Sequence, residues 1–178
     1  MALHIRGPGL EGRRIFQVAQ ALKDPARSTG SVLLVNDRVD VALALDLDGV
    51  HLGQRSLLPD QARGLLGEEK LVGVSTHSVS EARDGDRLGA SYLLVGTLFS
   101  TPSHPDGPLG GIGRVEEVVK VTDLPLLGIG GITPPRVREV MRAGARGVAV
   151  RGGIWEAADP AGAVASFLGE IKGQRGKI

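Results

Sequence analysis

The chain has 178 residues, 42% hydrophobic but only 3% aromatic, and its 21 basic and 20 acidic residues leave a net charge of +1. That is enough apolar material for a single domain over residues 1–178 with an aliphatic core, and no basic stripe points to a nucleic-acid partner. The absence of cysteine excludes disulfides, thiolate-bound zinc and thiol catalysis, and with no membrane-length apolar run and no leader-like N-terminus a cytoplasmic protein is expected.

Short β-type runs recur along the chain at residues 2–6, 32–36, 49–52, 71–75, 92–96, 126–130 and 147–151. Several are apolar without clean alternation, as strands covered on both faces are. Helical patterns lie between them. Residues 11–24 place Ile15, Val18, Ala19 and Leu22 on one face at helical spacing. Residues 58–67 and 78–89 are helical patterns that end in glycine, a residue suited to the position after a helix. Residues 38–46, 113–123 and 133–145 complete the series.

Alternation of this kind predicts an α/β fold with a parallel sheet. Glycine turns after the last two strands favour a small (β/α)8 TIM-type barrel over a doubly wound sheet. Seven strands are read where eight close a barrel, so the first strand is expected to be absent from this chain. A seam left open in that way exposes unpaired backbone groups, and a homo-oligomer or a rearranged segment is expected to cover it.

The glycine turns invite an anion. Gly130 and Gly131 follow an apolar strand and precede Thr133 and Pro134, a good N-cap and a good first helical residue. Gly152 and Gly153 follow the next strand. Free backbone N–H groups at both turns and at the helix start are expected to cradle a phosphate ester.

Chemistry in a barrel sits at the C-terminal strand ends. Those ends carry His4 and Arg6, Asn36 and Asp37, His51 and Gln54, Ser75 to His77, and Thr97. A loop rich in Ser, Thr, Pro and Gly follows, with Thr101, Ser103 and His104. His51 lies in an apolar run and reads as a hydrogen-bonded structural residue. His77 is either functional or a helix cap, and Asp37 either a Mg2+ ligand or the cap of the next helix.

Residues 35–54, 73–78, 92–104 and 126–150, with the motifs "NDR", "DGVHLGQ", "STH" and "IGGI" in that order, resemble the thiamin phosphate synthase and TenI superfamily. The resemblance implies a small (β/α)8 barrel whose members usually carry one more strand at the front. It implies one of two activities. A synthase joins hydroxymethylpyrimidine diphosphate to a thiazole phosphate with Mg2+, releasing diphosphate. A TenI-like enzyme isomerises a carboxylated thiazole phosphate without metal. Either would hold the thiazole phosphate at Gly130, Gly131, Gly152 and Gly153, with Thr101 and Ser103.

Departures from the family pattern weigh on the choice. The resemblance implies Lys at position 8, Asp at 56 and Lys at 104, where this chain has Pro8, Ser56 and His104. Arg6, Asn36, Asp37 and Ser75 remain. A departing diphosphate needs positive charge and metal, so the losses point to a TenI-like tautomerase with no cofactor. Thr97 stands where that branch has a His, so His104 or His77 is expected to act as the acid–base group. A synthase using Mg2+ at Asp37 is the alternative, and a non-catalytic thiazole phosphate-binding regulator is a third.

Overall fold

The structure, a computed structural model, describes residues 1–7, 9–101 and 108–175. Strands and helices alternate as β1 (Ala2–Ile5), α1 (Gly12–Ser28), β2 (Val32–Asn36), α2 (Val39–Ala44), β3 (Gly49–Leu52), α3 (Pro59–Leu66), β4 (Leu71–Thr76) and α4 (Val79–Arg87). The order continues with β5 (Tyr92–Val95), α5 (Gly111–Val118), β6 (Leu126–Ile129), α6 (Pro134–Arg142), β7 (Gly147–Ala149), α7 (Gly152–Trp155) and α8 (Pro160–Arg175). The described residues thus form an α/β fold with seven strands, each within two residues of its predicted limits. Two compact units divide the chain, Met1–Ser75 with Arg87–Ser91, and Thr76–Asp86 with Tyr92–Ile178.

In the first unit β1, β2, β3 and β4 follow one another in sequential order, all parallel. The register sets His4 opposite Leu34, Asn36 opposite His51, and His51 opposite Gly73. Parallel pairing brings the C-terminal strand ends to one edge, and with them the polar residues that end these runs. The core beneath joins Leu33, Val35, Val50, Leu52 and Val72 to Ile15 and Ala19 of α1. Burying each such aliphatic side chain contributes about 1.5–3 kcal/mol.

Helix α1 runs past Asp24, where the pattern predicted its end, through Pro25 to Ser28. Proline interrupts the hydrogen-bond ladder, but the last turn is tied back by Ser28 and Thr29, whose hydroxyls donate to the Pro25 carbonyl at 2.9 and 3.2 Å.

Arg63 of α3 fastens the far side of this unit. Its guanidinium donates to the carbonyls of Gly67, Glu68, Lys70 and Gly89 and to the Ser91 hydroxyl. That hydroxyl also accepts from the Val72 N–H at 3.0 Å.

In the second unit β5, β6 and β7 run parallel in that order. Thr76 is buried and donates to the Leu94 carbonyl at 3.5 Å, while its own carbonyl accepts from Gly96. Leu93, Val95 and Leu126 from the strands and Val115, Val118, Val137 and Val140 from α5 and α6 are all buried.

Two helices here escaped the sequence pattern. Helix α8 buries Phe167 and packs on α6 and α7. It carries no clean apolar stripe, yet its start is signalled: the Asp159 carboxylate accepts from Gly162 N–H at 3.0 Å, and Pro160 takes the first helical position. Helix α7 is a single turn opened by Gly152 and Gly153, so the second glycine pair begins a short helix.

Candidate active site

The strand ends of the first unit converge on Asp37 and Ser75. Asp37 follows β2 with a φ of 60°, a left-handed conformation that aspartate tolerates better than most residues. Its N–H donates to the His51 carbonyl at 2.9 Å and its carbonyl accepts from Val39 N–H. This turn leads its carboxylate away from α2. Asn36 donates to one carboxylate oxygen, and the Ser56 hydroxyl and the Gly53 N–H donate to the other. The capping role open to Asp37 in the sequence is therefore not taken: Arg38 occupies the N-cap of α2, and no side chain caps it.

Ser75 is gripped from β3. His51 Nε2 lies 2.8 Å from the Ser75 hydroxyl, and Gln54 donates to the Ser75 carbonyl at 2.7 Å. The His4 ring meets the His51 ring edge-on, with centroids 4.8 Å apart. Burial, then the neighbouring His4 and Arg6, push the His51 pKa down to about 3, and at 2% exposure this imidazole is neutral at physiological pH. His4 is pushed down to about 4 by desolvation and by Arg6, against a hydrogen bond to Asn36 and the charge of Asp37. It keeps an exposed face, and water there moderates the shift. His4, Arg6, Asn36, Asp37 and Ser75 thus stand at the C-terminal edge of the first unit's strands. The part the sequence missed is the His51–Ser75 contact; the signal available was His51 and Gln54 closing one strand and Ser75 closing the next.

The second unit holds the glycine turns. Gly130 has a φ of 101° and Gly131 a φ of 61°, values at which any side chain is strained. A Cβ on Gly130 would stand 2.5 Å from Thr97 Cγ2, and one on Gly131 2.3 Å from the Ser100 carbonyl oxygen. The missing side chains therefore admit the loop after β5, which is stitched down by Leu98 N–H to the Ile129 carbonyl and Phe99 N–H to the Gly130 carbonyl, both 3.0 Å. Arg136 donates to the Gly131 carbonyl at 2.7 Å and stacks 4.3 Å above the Phe99 ring. The turn after β7 is adjacent: a Cβ on Gly153 would lie 3.7 Å from the Ile132 carbonyl.

The helix start differs from the expectation. Thr133 is the N-cap of α6, but its side chain caps nothing. Pro134 and Pro135 have no N–H to offer, and Arg136 N–H donates to the Thr133 carbonyl at 2.9 Å. Donors for an anion must come from the glycine turns and not from the first turn of α6. At α7, Gly152 and Gly153 head the helix, where N–H groups lack intrahelical partners.

His77 is exposed at the start of α4. Its N–H donates to Glu81 at 2.7 Å and its Nδ1 lies 3.3 Å from the same carboxylate, while the Ser78 hydroxyl accepts from Glu81 N–H. Ser78 does the capping, and His77 sits one residue before it. Thr97 is half-buried, its carbonyl accepting from Gly110 at 2.8 Å, and Thr101 is also half-buried. Pro8, Ser103 and His104 lie outside the described residues. Among the described residues no group of three His or acidic side chains gathers to hold a metal, and no helix is long and apolar enough to cross a membrane.

Known proteins resemble this chain along most of its length. A thiamine-phosphate synthase of Roseiflexus castenholzii is 44% identical over 175 residues, covering 98% of this chain and 76% of that protein. One from Chlorobium phaeobacteroides is 40% identical over 173 residues, 96% of this chain and 84% of the relative. The solved structure of a thiamine phosphate pyrophosphorylase from Pyrococcus furiosus matches with a TM-score of 0.89 at 30% identity, over 97% of this chain and 83% of that one. The fold is accordingly of the TIM type, with seven strands among the described residues, and the chain is an enzyme of thiamin biosynthesis. A family model described as thiamine monophosphate synthase matches residues 1–154, and the chain belongs to that TMP-TENI family.

Proposed function

We propose that the chain couples hydroxymethylpyrimidine diphosphate to a thiazole phosphate, forming thiamin phosphate and releasing diphosphate. The observation that carries this reading is the 44% identity to a thiamine-phosphate synthase over 98% of the chain. The strand-end group in the first unit supports it. A departing diphosphate is stabilised by donors and positive charge already in place, and Arg6, Asn36 and Ser75 supply a guanidinium, an amide and a hydroxyl. His4 sits among them as a neutral imidazole.

Mg2+ is usually held by one or two carboxylates together with substrate phosphates. Asp37 fits that pattern: its carboxylate is exposed, with the Ser56 hydroxyl oxygen beside it. Asp37 would hold the ion jointly with the diphosphate. When bound, Mg2+ neutralises part of the charge of the leaving diphosphate. In the second unit, the N–H groups of Gly130, Gly131, Gly152 and Gly153 are the donors proposed for the thiazole phosphate, with the hydroxyls of Thr101 and Ser103.

Tautomerisation of a carboxylated thiazole phosphate, favoured by the sequence alone, is the second reading. Ser56 in the place of a second carboxylate is the observation on its side. His77, whose Nδ1 lies 3.3 Å from the Glu81 carboxylate, would serve as the acid–base group of that reading through Nε2. The two readings separate in parallel incubations: coupling followed as thiamin phosphate, and deuterium exchange on the carboxylated thiazole phosphate. Exchange without coupling would replace the first reading by the second.

A further inference from the structure

We infer that His51 is a positioning residue for Ser75, donating its Nε2 hydrogen to the Ser75 oxygen so that the serine's own hydrogen is turned toward a ligand anion. The inference deepens the proposed diphosphate site and rests on that reading for the identity of the anion.

A serine hydroxyl is ordinarily a rotor with one hydrogen to give and two lone pairs to receive. Ser75 is not left to rotate. Its oxygen lies 2.8 Å from His51 Nε2, and its backbone is fixed by Gln54, which donates to its carbonyl at 2.7 Å. Both side chains come from the end of β3, so one segment sets both the backbone and the hydroxyl of the next strand's end. The His51 ring is itself held. All of β3 is buried, the ring is 2% exposed, and His4 packs against it edge-on.

The direction of the hydrogen bond follows from counting hydrogens. A diphosphate oxygen can only accept. If Ser75 gave its single hydrogen to His51, its oxygen would face the anion with lone pairs and repel it. Only a hydrogen on Nε2 lets Ser75 receive from the ring and give to the ligand. His51 therefore acts through Ser75 without touching the anion, and its other ring nitrogen carries no hydrogen.

The test uses the whole chain, inorganic diphosphate with Mg2+ as probe, and calorimetry for affinity. His51→Leu and Ser75→Ala should each weaken binding roughly tenfold, the scale of one hydrogen bond to a charged group. The double variant should be no weaker than either single one, and His51→Gln, whose amide nitrogen can take the Nε2 place, should recover most of the loss. Losses that multiply in the double variant would overturn the inference. If His51→Leu fails to fold, nitrogen-15 shifts of His51 in the unaltered protein decide: a hydrogen on Nε2 supports the assignment, and one on Nδ1 overturns it. That spectrum also decides without ligand, so absence of any diphosphate binding would sink the proposed function separately from the His51–Ser75 assignment.

Discussion

The Ser56 hydroxyl donates to the carboxylate of Asp37, across the end of β2 and the segment after β3. Asp37 is thus committed to neighbours on both oxygens, with Asn36 on the other, and it stands as a single carboxylate. A cation with few protein ligands has to bring substrate oxygens with it.

Ser56→Asp should therefore create a two-carboxylate site. Mn2+ binding to the ligand-free protein, followed by electron paramagnetic resonance, is expected to strengthen about tenfold, since a second nearby charge contributes on the order of 1–2 kcal/mol at a partly exposed position. Unchanged Mn2+ affinity would mean that the Asp37 region does not face a metal.

Gly131→Ala places a Cβ 2.3 Å from the Ser100 carbonyl oxygen at a φ of 61°. It should cost more than about 1 kcal/mol and lower the urea midpoint, and it should weaken inorganic phosphate binding by displacing the loop after β5. Gly30→Ala has nearly the same φ but nothing within 4 Å, and is the control: its cost should be about 1 kcal/mol or less, with phosphate binding intact. Equal behaviour of the two would show that close approach does not matter at Gly131.

His51 makes stability depend on pH. Its folded pKa of about 3 lies below the ordinary 6.5, so between those values the unfolded chain binds more protons and stability falls as pH falls. The contribution is complete above about pH 6.5 and is lost progressively down to about pH 3. In His51→Gln the decline in urea stability from pH 7 to pH 5 should be shallower than in the parent, by up to about 1.4 kcal/mol per pH unit below 6.5. Parallel pH profiles would contradict a buried neutral imidazole.

Arg63→Lys should destabilise the first unit by about 2–4 kcal/mol. The guanidinium serves four carbonyls and the Ser91 hydroxyl at once, a fan of donors that an ammonium cannot reproduce. A urea midpoint within error of the parent would show those bonds to be replaceable by water.

The strands were legible because parallel strands buried on both faces read as unbroken apolar runs: β2 and β3 lie where their predicted runs do. Helix α8 was not, because it meets α6 and α7 without a single apolar stripe, and its Asp159–Pro160 start stands alone. At the site, clustering of His4, Arg6, Asn36, Asp37 and Ser75 followed from strand ends sharing an edge. What the sequence could not show were directions. It could not tell that Asp37 turns from its helix toward Ser56, that the α6 start offers no N–H, or that the glycine gaps are filled by the loop after β5.

The central claim is most directly tested by incubating the protein with hydroxymethylpyrimidine diphosphate and thiazole phosphate, with and without Mg2+, and measuring thiamin phosphate and diphosphate. The account predicts equal amounts of both products, formed only with Mg2+ and lost in Asp37→Asn, which preserves the left-handed turn. No product with Mg2+, while the thiazole phosphate still binds, would contradict it.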